Sequence, residues 1–335
     1  GAMIKEYYNS EKNHDVLILG DCEVYENISP VTMWENYGIS SYIRGSAEQL
    51  IWQSYYLLED TLKYEKPQVV ILNVLAMTES DAKNEAYNRM TLDGMKLSKY
   101  KIASIRESMT EEENMASYIF PLLRYHSRWS ELSSEDFRYM WKTPSVTTNG
   151  YLMQKGVRPV KTIPKAAPLA NYTFSDRNME YLDKIYSLCK DNGINLVLMK
   201  APSVYPHWYD EWDKQVSDYA YEHGILYLNT INEAGNIGID YTTDTFDYGQ
   251  HLNVEGAEKL SLYLGEQLVK NFRLTDHRQD ESYKNAWKTI VNKYYEEIQN
   301  KIASLGKDFL ELKQLEIKIS GGVSKSMLKK NRLAF

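Results

Sequence analysis

The segment Asp15-Val-Leu-Ile-Leu-Gly20, followed by Asp21-Cys22-Glu23, is a short apolar run that ends at a glycine. A run of this length, bounded by turn residues, is typical of a strand that is buried on both faces of a parallel sheet. We therefore predict the first strand here, with Cys22 in the turn at its carboxyl end.

Four more apolar runs resemble this first one. They lie at residues 39–43, 69–73, 194–199 and 225–228. Helical periodicity lies between or after them, at residues 47–64, 176–190, 209–223 and 258–271. Strands that alternate with helices predict an α/β fold with a mostly parallel five-stranded sheet. In such folds ligands bind at the carboxyl ends of the strands.

The spacing of the strands predicts one insertion and one extension. Roughly 120 residues separate the third and fourth strands, far more than a normal connection, so we predict a helical insertion at about 78–172 in a main domain of residues 13–274. Within it, Thr110 and Glu113 form a capping-box pattern that predicts a helix start, and residues 142–172 indicate a loop. Residues 275–320 predict a helical extension, a hairpin or long helix broken near Gly306, and residues 321–335 form a basic tail.

Composition excludes several classes of protein. The 335 residues carry 46 acidic and 39 basic side chains, and the net charge of -7 disfavours binding to nucleic acid. No apolar run approaches the ~18 residues that a transmembrane helix needs. Two cysteines, Cys22 and Cys189, do not form a disulfide framework, and we find neither a metal-ligand cluster nor a phosphate-binding loop. We expect no cofactor and no metal.

Cys22 is the first candidate for chemistry. A small-residue turn between a strand and a helix presents its side chain at the edge of the sheet, and the start of a helix lowers a thiol pKa. The alternative is a buried structural cysteine, because free cysteines are often buried.

His251 is the second candidate, in a loop before the last helix. Carboxylates a few residues upstream, at Asp247 or Asp244, are placed to orient its ring. The alternative is that His251 caps or packs against the helix that follows.

Together, Gly20-Asp21-Cys22 and His251-Leu-Asn-x-x-Gly256 resemble the first and last motifs of the SGNH/GDSL hydrolase superfamily. That resemblance implies a flavodoxin-like three-layer α/β/α sandwich. More narrowly, through Lys200-Ala-Pro-Ser203 and residues 247–256, the chain resembles SGNH-like domains that accompany membrane-bound O-acyltransferases, such as the teichoic acid D-alanine transfer protein and the alginate O-acetylation proteins. The resemblance covers roughly residues 13–272 of this chain.

The resemblance implies roles for particular residues. Cys22 stands at the position of the family's serine nucleophile, and His251 at that of the general base. The family's aspartate lies three residues before the histidine, where this chain has Tyr248, so the orienting residue is Asp247 or, alternatively, Asp244.

The resemblance also implies oxyanion donors. They are the amide of Cys22, Gly45 after the second strand, and Asn73 in the third. For Asn73 a buried asparagine bonded to the backbone is an equal alternative.

Four further side chains are weaker candidates for substrate contact. Lys200 and Trp208 follow the fourth strand, and His126 and Arg128 lie in the insertion. For the last two, a surface helix end is the commoner explanation.

Three hypotheses for the function remain open. In the first, the protein transfers acyl groups to a cell-surface polysaccharide through an acyl-Cys22 intermediate, together with a membrane-bound O-acyltransferase; a secreted esterase or deacetylase would use the same chemistry. The second is an inactive binding or assembly module, and the third a cytoplasmic thioesterase. Gly1-Ala2-Met3 is typical of residues left by cloning, so for the first hypothesis we expect an extracytoplasmic protein whose membrane anchor was removed.

Overall fold

A five-stranded sheet organises the computed structural model, which describes residues 1–120 and 145–300. The strands are β1 (Val16–Gly20), β2 (Ser41–Gly45), β3 (Val69–Asn73), β4 (Asn195–Lys200) and β5 (Leu226–Asn229). Their order is β2-β1-β3-β4-β5, and each neighbouring pair runs parallel. This is the flavodoxin-like order. The predicted α/β class, the parallel sheet and its five strands are therefore confirmed.

Helices surround this sheet in the described part of the chain. Up to residue 271 they are α1 (Ala2–Glu6), α2 (Cys22–Tyr25), α3 (Pro30–Tyr37), α4 (Ile51–Thr61), α5 (Glu85–Leu92), α6 (Lys99–Ser108), α7 (Met115–Ile119), α8 (Asp176–Asp191), α9 (Asp210–His223), α10 (Ala234–Ile237) and α11 (Val254–Asn271). Among the described helices none is long and apolar enough to cross a membrane.

The sheet buries apolar side chains on both faces. Leu17, Leu19 and Leu72 lie in one core cluster together with apolar residues of α4, α8 and α9. Successive residues of a strand point to opposite faces, so Ile18 and Ile71 point to the other side, where α3 and α11 pack against each other. The result is the three-layer arrangement with the strand ends left open for a site.

The predicted helix start at Thr110 is wrong. Helix α6 ends at Ser108 and α7 begins only at Met115, where the Asn114 side chain accepts a hydrogen bond from the Ala116 amide at 2.8 Å. Thr110 and Glu113 form a turn instead, and the Glu113 carboxylate accepts the Thr110 amide at 3.2 Å. The capping-box side-chain contact therefore exists, but within a turn.

The two ends of the insertion differ. Residues 78–120 contain α5, α6 and α7, whereas residues 145–172 contain no helix and no strand beyond an isolated bridge between Thr148 and Tyr151. For those residues the predicted loop is confirmed. His126 and Arg128 lie outside the described residues.

The chain divides into two compact units, Gly1–Ile290 and Val291–Phe335. In the first unit residues 281–290 are helical, and the Trp287 ring stacks on Trp34 with centroids 4.7 Å apart. In the second unit residues 291–300 are helical. The predicted break near Gly306 and the basic tail lie outside the described residues.

Candidate active site

Cys22 lies at the carboxyl end of β1, as the first residue of the four-residue helix α2. The Asp21 carboxylate caps this helix by accepting the Glu23 amide at 3.0 Å. The turn before it requires glycine, because a Cβ on Gly20 would lie 2.8 Å from the Asn73 Cβ. The tight turn therefore places Cys22 at the carboxyl end of β1, between the carboxyl ends of the neighbouring strands β2 and β3.

Gly45 packs against this same turn. It pairs with Gly20 across β1 and β2, and a Cβ there would lie 3.0 Å from the Gly20 carbonyl oxygen. Gly45 is therefore adjacent to the turn that carries the candidate nucleophile, and its role as an oxyanion donor stays a prediction.

His251 comes from the loop between β5 and α11. Its Nδ1 lies 2.6 Å from Asp247 Oδ2, and its backbone amide donates to Asp247 Oδ1 at 2.8 Å. Tyr248, the residue three before His251, has a left-handed backbone with φ of 66°. This bend lets the loop absorb one extra residue and brings Asp247, four residues before His251, onto the ring.

Asp244, the alternative orienter, does not contact the ring. Its Oδ2 accepts the Lys259 ammonium at 2.6 Å and the Asp240 amide at 2.8 Å. These contacts fix the start of the histidine loop against α11, so the expectation of an orienting role for Asp244 is contradicted.

Cys22 and His251 line one cavity of about 480 Å³. Its apolar wall consists of Leu75, Ala76, Leu169, Pro206 and Trp212. Within the described residues no hydrogen bond joins the Cys22 thiol to the imidazole. Catalytic hydrogen bonds are often long without substrate and tighten when it binds, so what the cavity provides is a common space for thiol, imidazole and a reacting group.

The surroundings of Cys22 oppose its ionisation. Burial raises the pKa of the thiol, and the charges of Asp21, Glu23, Glu26 and Glu48 raise it further. The expectation that the helix start lowers this pKa is therefore wrong, since a single helical turn supplies little dipole against four carboxylates.

The pKa of His251 is shifted in the direction that suits a strong base. Burial alone lowers it, but the hydrogen bond to Asp247 and the charges of Glu26 and Asp247 outweigh burial and raise the pKa above its ordinary value. Imidazolium is thereby stabilised at the moment when His251 takes up a proton.

Asn73 does not have the free donor expected of it. Its Nδ2 donates to Asp21 Oδ1 at 3.2 Å and to Glu23 Oε2 at 3.0 Å, and its Oδ1 accepts the Ala201 amide at 3.2 Å. Both amide hydrogens are used inside the protein, which contradicts the oxyanion role for Asn73. It is instead a buried bridge between β1, β3 and β4.

Lys200 is also misassigned by sequence reasoning. It is fully buried, and its ammonium lies 2.6 and 2.8 Å from the two carboxylate oxygens of Glu23. The ammonium also lies 2.8 Å from the Ala201 carbonyl oxygen and 3.1 Å from Ser203 Oγ, so all its hydrogens are directed at partners inside the protein. Lys200 therefore stabilises the turn around Cys22 through its ion pair with Glu23. It has no hydrogen left to donate to a substrate.

Trp208 is buried, with its indole Nε1 donating to Asp213 at 3.3 Å, and does not line the cavity. Trp212, one helical turn later, lines it instead. The expectation that Trp208 contacts substrate is therefore contradicted, because Trp208 precedes α9 and packs into the core, whereas Trp212 in the first turn of α9 lines the cavity.

Sequence reasoning missed two acidic residues of the site, Glu23 and Glu26. Glu26 Oε2 lies 3.4 Å from His251 Nδ1. The sequence signal that could have found Glu26 was its spacing. A residue four positions after Cys22 lies on the same face of a helix as Cys22. Among the described residues, no group of three or more His, Cys, Asp or Glu side chains is arranged to hold a metal ion.

Comparisons with known proteins give structural similarities alone. No family model and no curated protein matches the chain. A solved structure from Desulfitobacterium hafniense, described as a lipolytic protein of the G-D-S-L family, aligns with a TM-score of 0.38 and 14% identity over 76% of this chain and 100% of that one.

Two Bacteroides proteins give similar values. One from Bacteroides fragilis, described as an acylhydrolase, aligns with a TM-score of 0.38 and 12% identity over 78% of this chain and 89% of its own. A GDSL-like lipase from Bacteroides thetaiotaomicron aligns with a TM-score of 0.38 and 10% identity over 80% and 95%. With identities and TM-scores this low, these similarities assign no activity to this chain.

Proposed function

We propose that this protein is an acyl-transfer enzyme in which Cys22 accepts the acyl group, His251 is the general base and Asp247 orients His251. One observation carries the proposal: a histidine held at Nδ1 by a carboxylate at 2.6 Å lines the same cavity as a cysteine. A nucleophile and a base that line one cavity, with a carboxylate that orients the base, are the parts that covalent acyl transfer needs.

The reaction proceeds in two halves. In the first, the Cys22 sulfur attacks the carbonyl carbon of an ester while its proton passes to His251 Nε2, the ring nitrogen that Asp247 leaves available. The resulting oxyanion lies near the backbone of Cys22 and Gly45. When it collapses, the carbon–oxygen bond to the leaving alcohol breaks and that alcohol takes the proton from His251, which leaves a thioester on Cys22.

In the second half an acceptor hydroxyl attacks the thioester. His251 takes the proton of the hydroxyl, a new carbon–oxygen bond forms, and the carbon–sulfur bond breaks. The departing sulfur takes the proton from His251. With water as acceptor, the same steps give hydrolysis.

The carboxylates around Cys22 determine when the thiol loses its proton. Because burial and these carboxylates raise the pKa of Cys22, the resting form is the neutral thiol, and His251 removes the proton as the sulfur attacks. This differs from cysteine enzymes that hold a preformed thiolate next to a cation.

For the acceptor we propose a cell-surface polysaccharide, and for the acyl source a membrane-bound O-acyltransferase, with the protein acting outside the cytoplasm. The support for this is the resemblance of the Gly20-Asp21-Cys22 and His251 motifs. The apolar wall with Trp212 suits a sugar ring, because aromatic side chains stack on apolar faces of ligands.

The test is turnover of p-nitrophenyl acetate, first in buffer and then with added saccharides. We expect release of nitrophenol by the wild type and by Cys189→Ala, the matched control for the second, buried cysteine, and its loss in Cys22→Ala. Acetylated saccharide in place of free acetate identifies a transferase, and free acetate alone identifies an esterase. No release by the folded wild type contradicts the proposal and leaves a binding or assembly module.

A further inference from the structure

Glu26 connects the two halves of the candidate site. It follows α2, and its backbone amide donates to the Cys22 carbonyl oxygen at 3.1 Å, so it lies one helical turn after Cys22. Its Oε2 is 3.4 Å from His251 Nδ1, the nitrogen that lies 2.6 Å from Asp247. The imidazole therefore has two carboxylates at one nitrogen, one from each segment of the site.

The Glu26 carboxylate is itself held in place. Its Oε1 accepts the Gln154 side-chain amide at 2.8 Å, and only 11% of its side chain is exposed. The backbone oxygen of Gln154 accepts a hydrogen bond from the Val254 amide at 2.8 Å. The backbone amide of Leu152 donates to the Tyr25 carbonyl oxygen at 2.7 Å. Residues 152–154 thus join the end of α2 to the start of α11, with Glu26 between them.

We propose that Glu26, held by Gln154, is a positioning residue for His251. Together with Asp247 it keeps the Nδ1 hydrogen directed at carboxylates and so leaves Nε2 to exchange protons with Cys22. The proposal rests on the proposed function in that it takes His251 to be the base. It also accounts for the shifted aspartate, because a second carboxylate shares the task of holding the ring.

Among the described residues, four acidic groups act on His251, and two of them touch it. Asp247 from its own loop and Glu26 from the end of α2 contact Nδ1, while Glu23 within α2 and Asp21 before it act at longer range. Glu23 is paired with Lys200 at 2.6 Å. Burial lowers the pKa of His251, and the charges of Glu26 and Asp247 raise it. Loss of the Glu26 charge therefore lowers this pKa.

The experiment is an NMR titration of the His251 imidazole in the wild type, Glu26→Gln and Glu255→Gln. The signal is assigned from its absence in His251→Gln. Glu255 is the matched control, since it lies on α11 and pairs with Lys155 at 2.7 Å. We expect the midpoint to fall by about one pH unit in Glu26→Gln, at the low end of the effect of a charge within contact distance, and to stay in place in Glu255→Gln.

A second variant covers the case in which Glu26→Gln does not fold. Gln154→Leu keeps the Glu26 charge but removes its anchor, and we expect a smaller shift of the midpoint in the same direction. An unmoved midpoint in the folded variants, or an equal shift in Glu255→Gln, overturns the proposal.

The second measurement, beside the NMR titration, is the pH profile of kcat/KM for p-nitrophenyl acetate. We expect the midpoint of its acid limb to move to lower pH in Glu26→Gln. If the wild type turns over no ester, the proposed function fails, while the NMR midpoint still decides the role of Glu26. The two failures are therefore distinguishable.

Discussion

At the scale of single residues, the proposed chemistry depends on a thiol in an acidic environment. Burial and four carboxylates raise the pKa of Cys22, so the site does not exploit the low pKa that usually distinguishes cysteine from serine as a nucleophile. A serine hydroxyl at position 22 would serve equally well, because His251 would remove its proton at the moment of attack.

Cys22→Ser is therefore expected to keep ester turnover, whereas Cys22→Ala is expected to lose it by about 10⁴-fold or more, as for other nucleophile deletions. Both are measured as kcat/KM with p-nitrophenyl acetate. A serine variant as inactive as the alanine variant would show that the site depends on a thiolate, against the proposed mechanism.

Asp247 and Asp244 form a matched pair for the orienting role. Asp247→Asn removes the charge 2.6 Å from Nδ1, and we expect kcat to fall by at least about 10²-fold, less than the ~10⁴-fold seen where one aspartate acts alone, because Glu26 remains. Asp244→Asn alters the contacts of the loop with Lys259 and the Asp240 amide but none with the ring. Equal losses of kcat in the two variants, at equal stability, would contradict the assignment.

The pH dependence follows from the sign of the shift at His251. Its pKa lies above the ordinary ~6.5, and a general base acts only when it is neutral. We expect kcat/KM to be constant at high pH and to fall as the pH drops through a midpoint above ~6.5. The measurement is a pH profile in buffers of constant ionic strength, and a midpoint well below that value would contradict the predicted environment.

The two motifs and their resemblance predicted Cys22 and His251 at one rim of the sheet, with Asp247 or Asp244 as the residue that orients His251. They did not predict Glu26 or Trp212, whose roles depend on how α2 and α9 are turned toward the cavity. Lys200 and Asn73 were misassigned for a related reason: polar side chains at strand ends suit a site equally well as a buried network, and only their partners distinguish the two.

At the scale of elements, the pair Lys200–Glu23 ties β4 to α2. Both side chains are buried, with 2.6 Å between ammonium and carboxylate. Removing one partner leaves a buried charge without compensation, which typically costs about 3–5 kcal/mol.

Lys200→Met is therefore expected to lower the free energy of unfolding by that amount, and Glu23→Gln/Lys200→Met to recover most of it. Lys214→Met is the control, because its pair with Asp218 is exposed and is expected to change stability by less than about 1 kcal/mol. Urea denaturation measures all three. A loss in the double variant as large as in Lys200→Met would contradict the ion-pair explanation.

Element boundaries were predictable where apolar runs end at glycine and less so elsewhere. Strand β2 was predicted at residues 39–43 but spans Ser41–Gly45, because the apolar run stops before the charged Arg44. Arg44 is instead fully buried and bound to Asp60 at 3.3 Å. A buried arginine has the same sequence signal as an exposed one, so only its partner on α4 distinguishes the two.

At the scale of the whole molecule, alternation of strands and helices was enough to predict the parallel sheet. It was also enough to place the site, because in this strand order the carboxyl ends of β1 and its neighbours form one rim. The spacing of the strands predicted that a long insertion exists. It did not predict that residues 152–154 join the end of α2 to the start of α11, because that depends on contacts with both helices.

The measurement that tests the central claim most directly is the site of acylation. The wild type, Cys189→Ala and His251→Gln are mixed with p-nitrophenyl acetate, quenched in acid within the first turnover and digested for peptide mass analysis. We predict one acetyl group on the Cys22 peptide in the first two proteins, removable by neutral hydroxylamine as a thioester, and strongly slowed labelling in His251→Gln. Turnover by the wild type without an acyl group on Cys22, or labelling of Cys22 at the same rate in His251→Gln, would contradict the proposed mechanism.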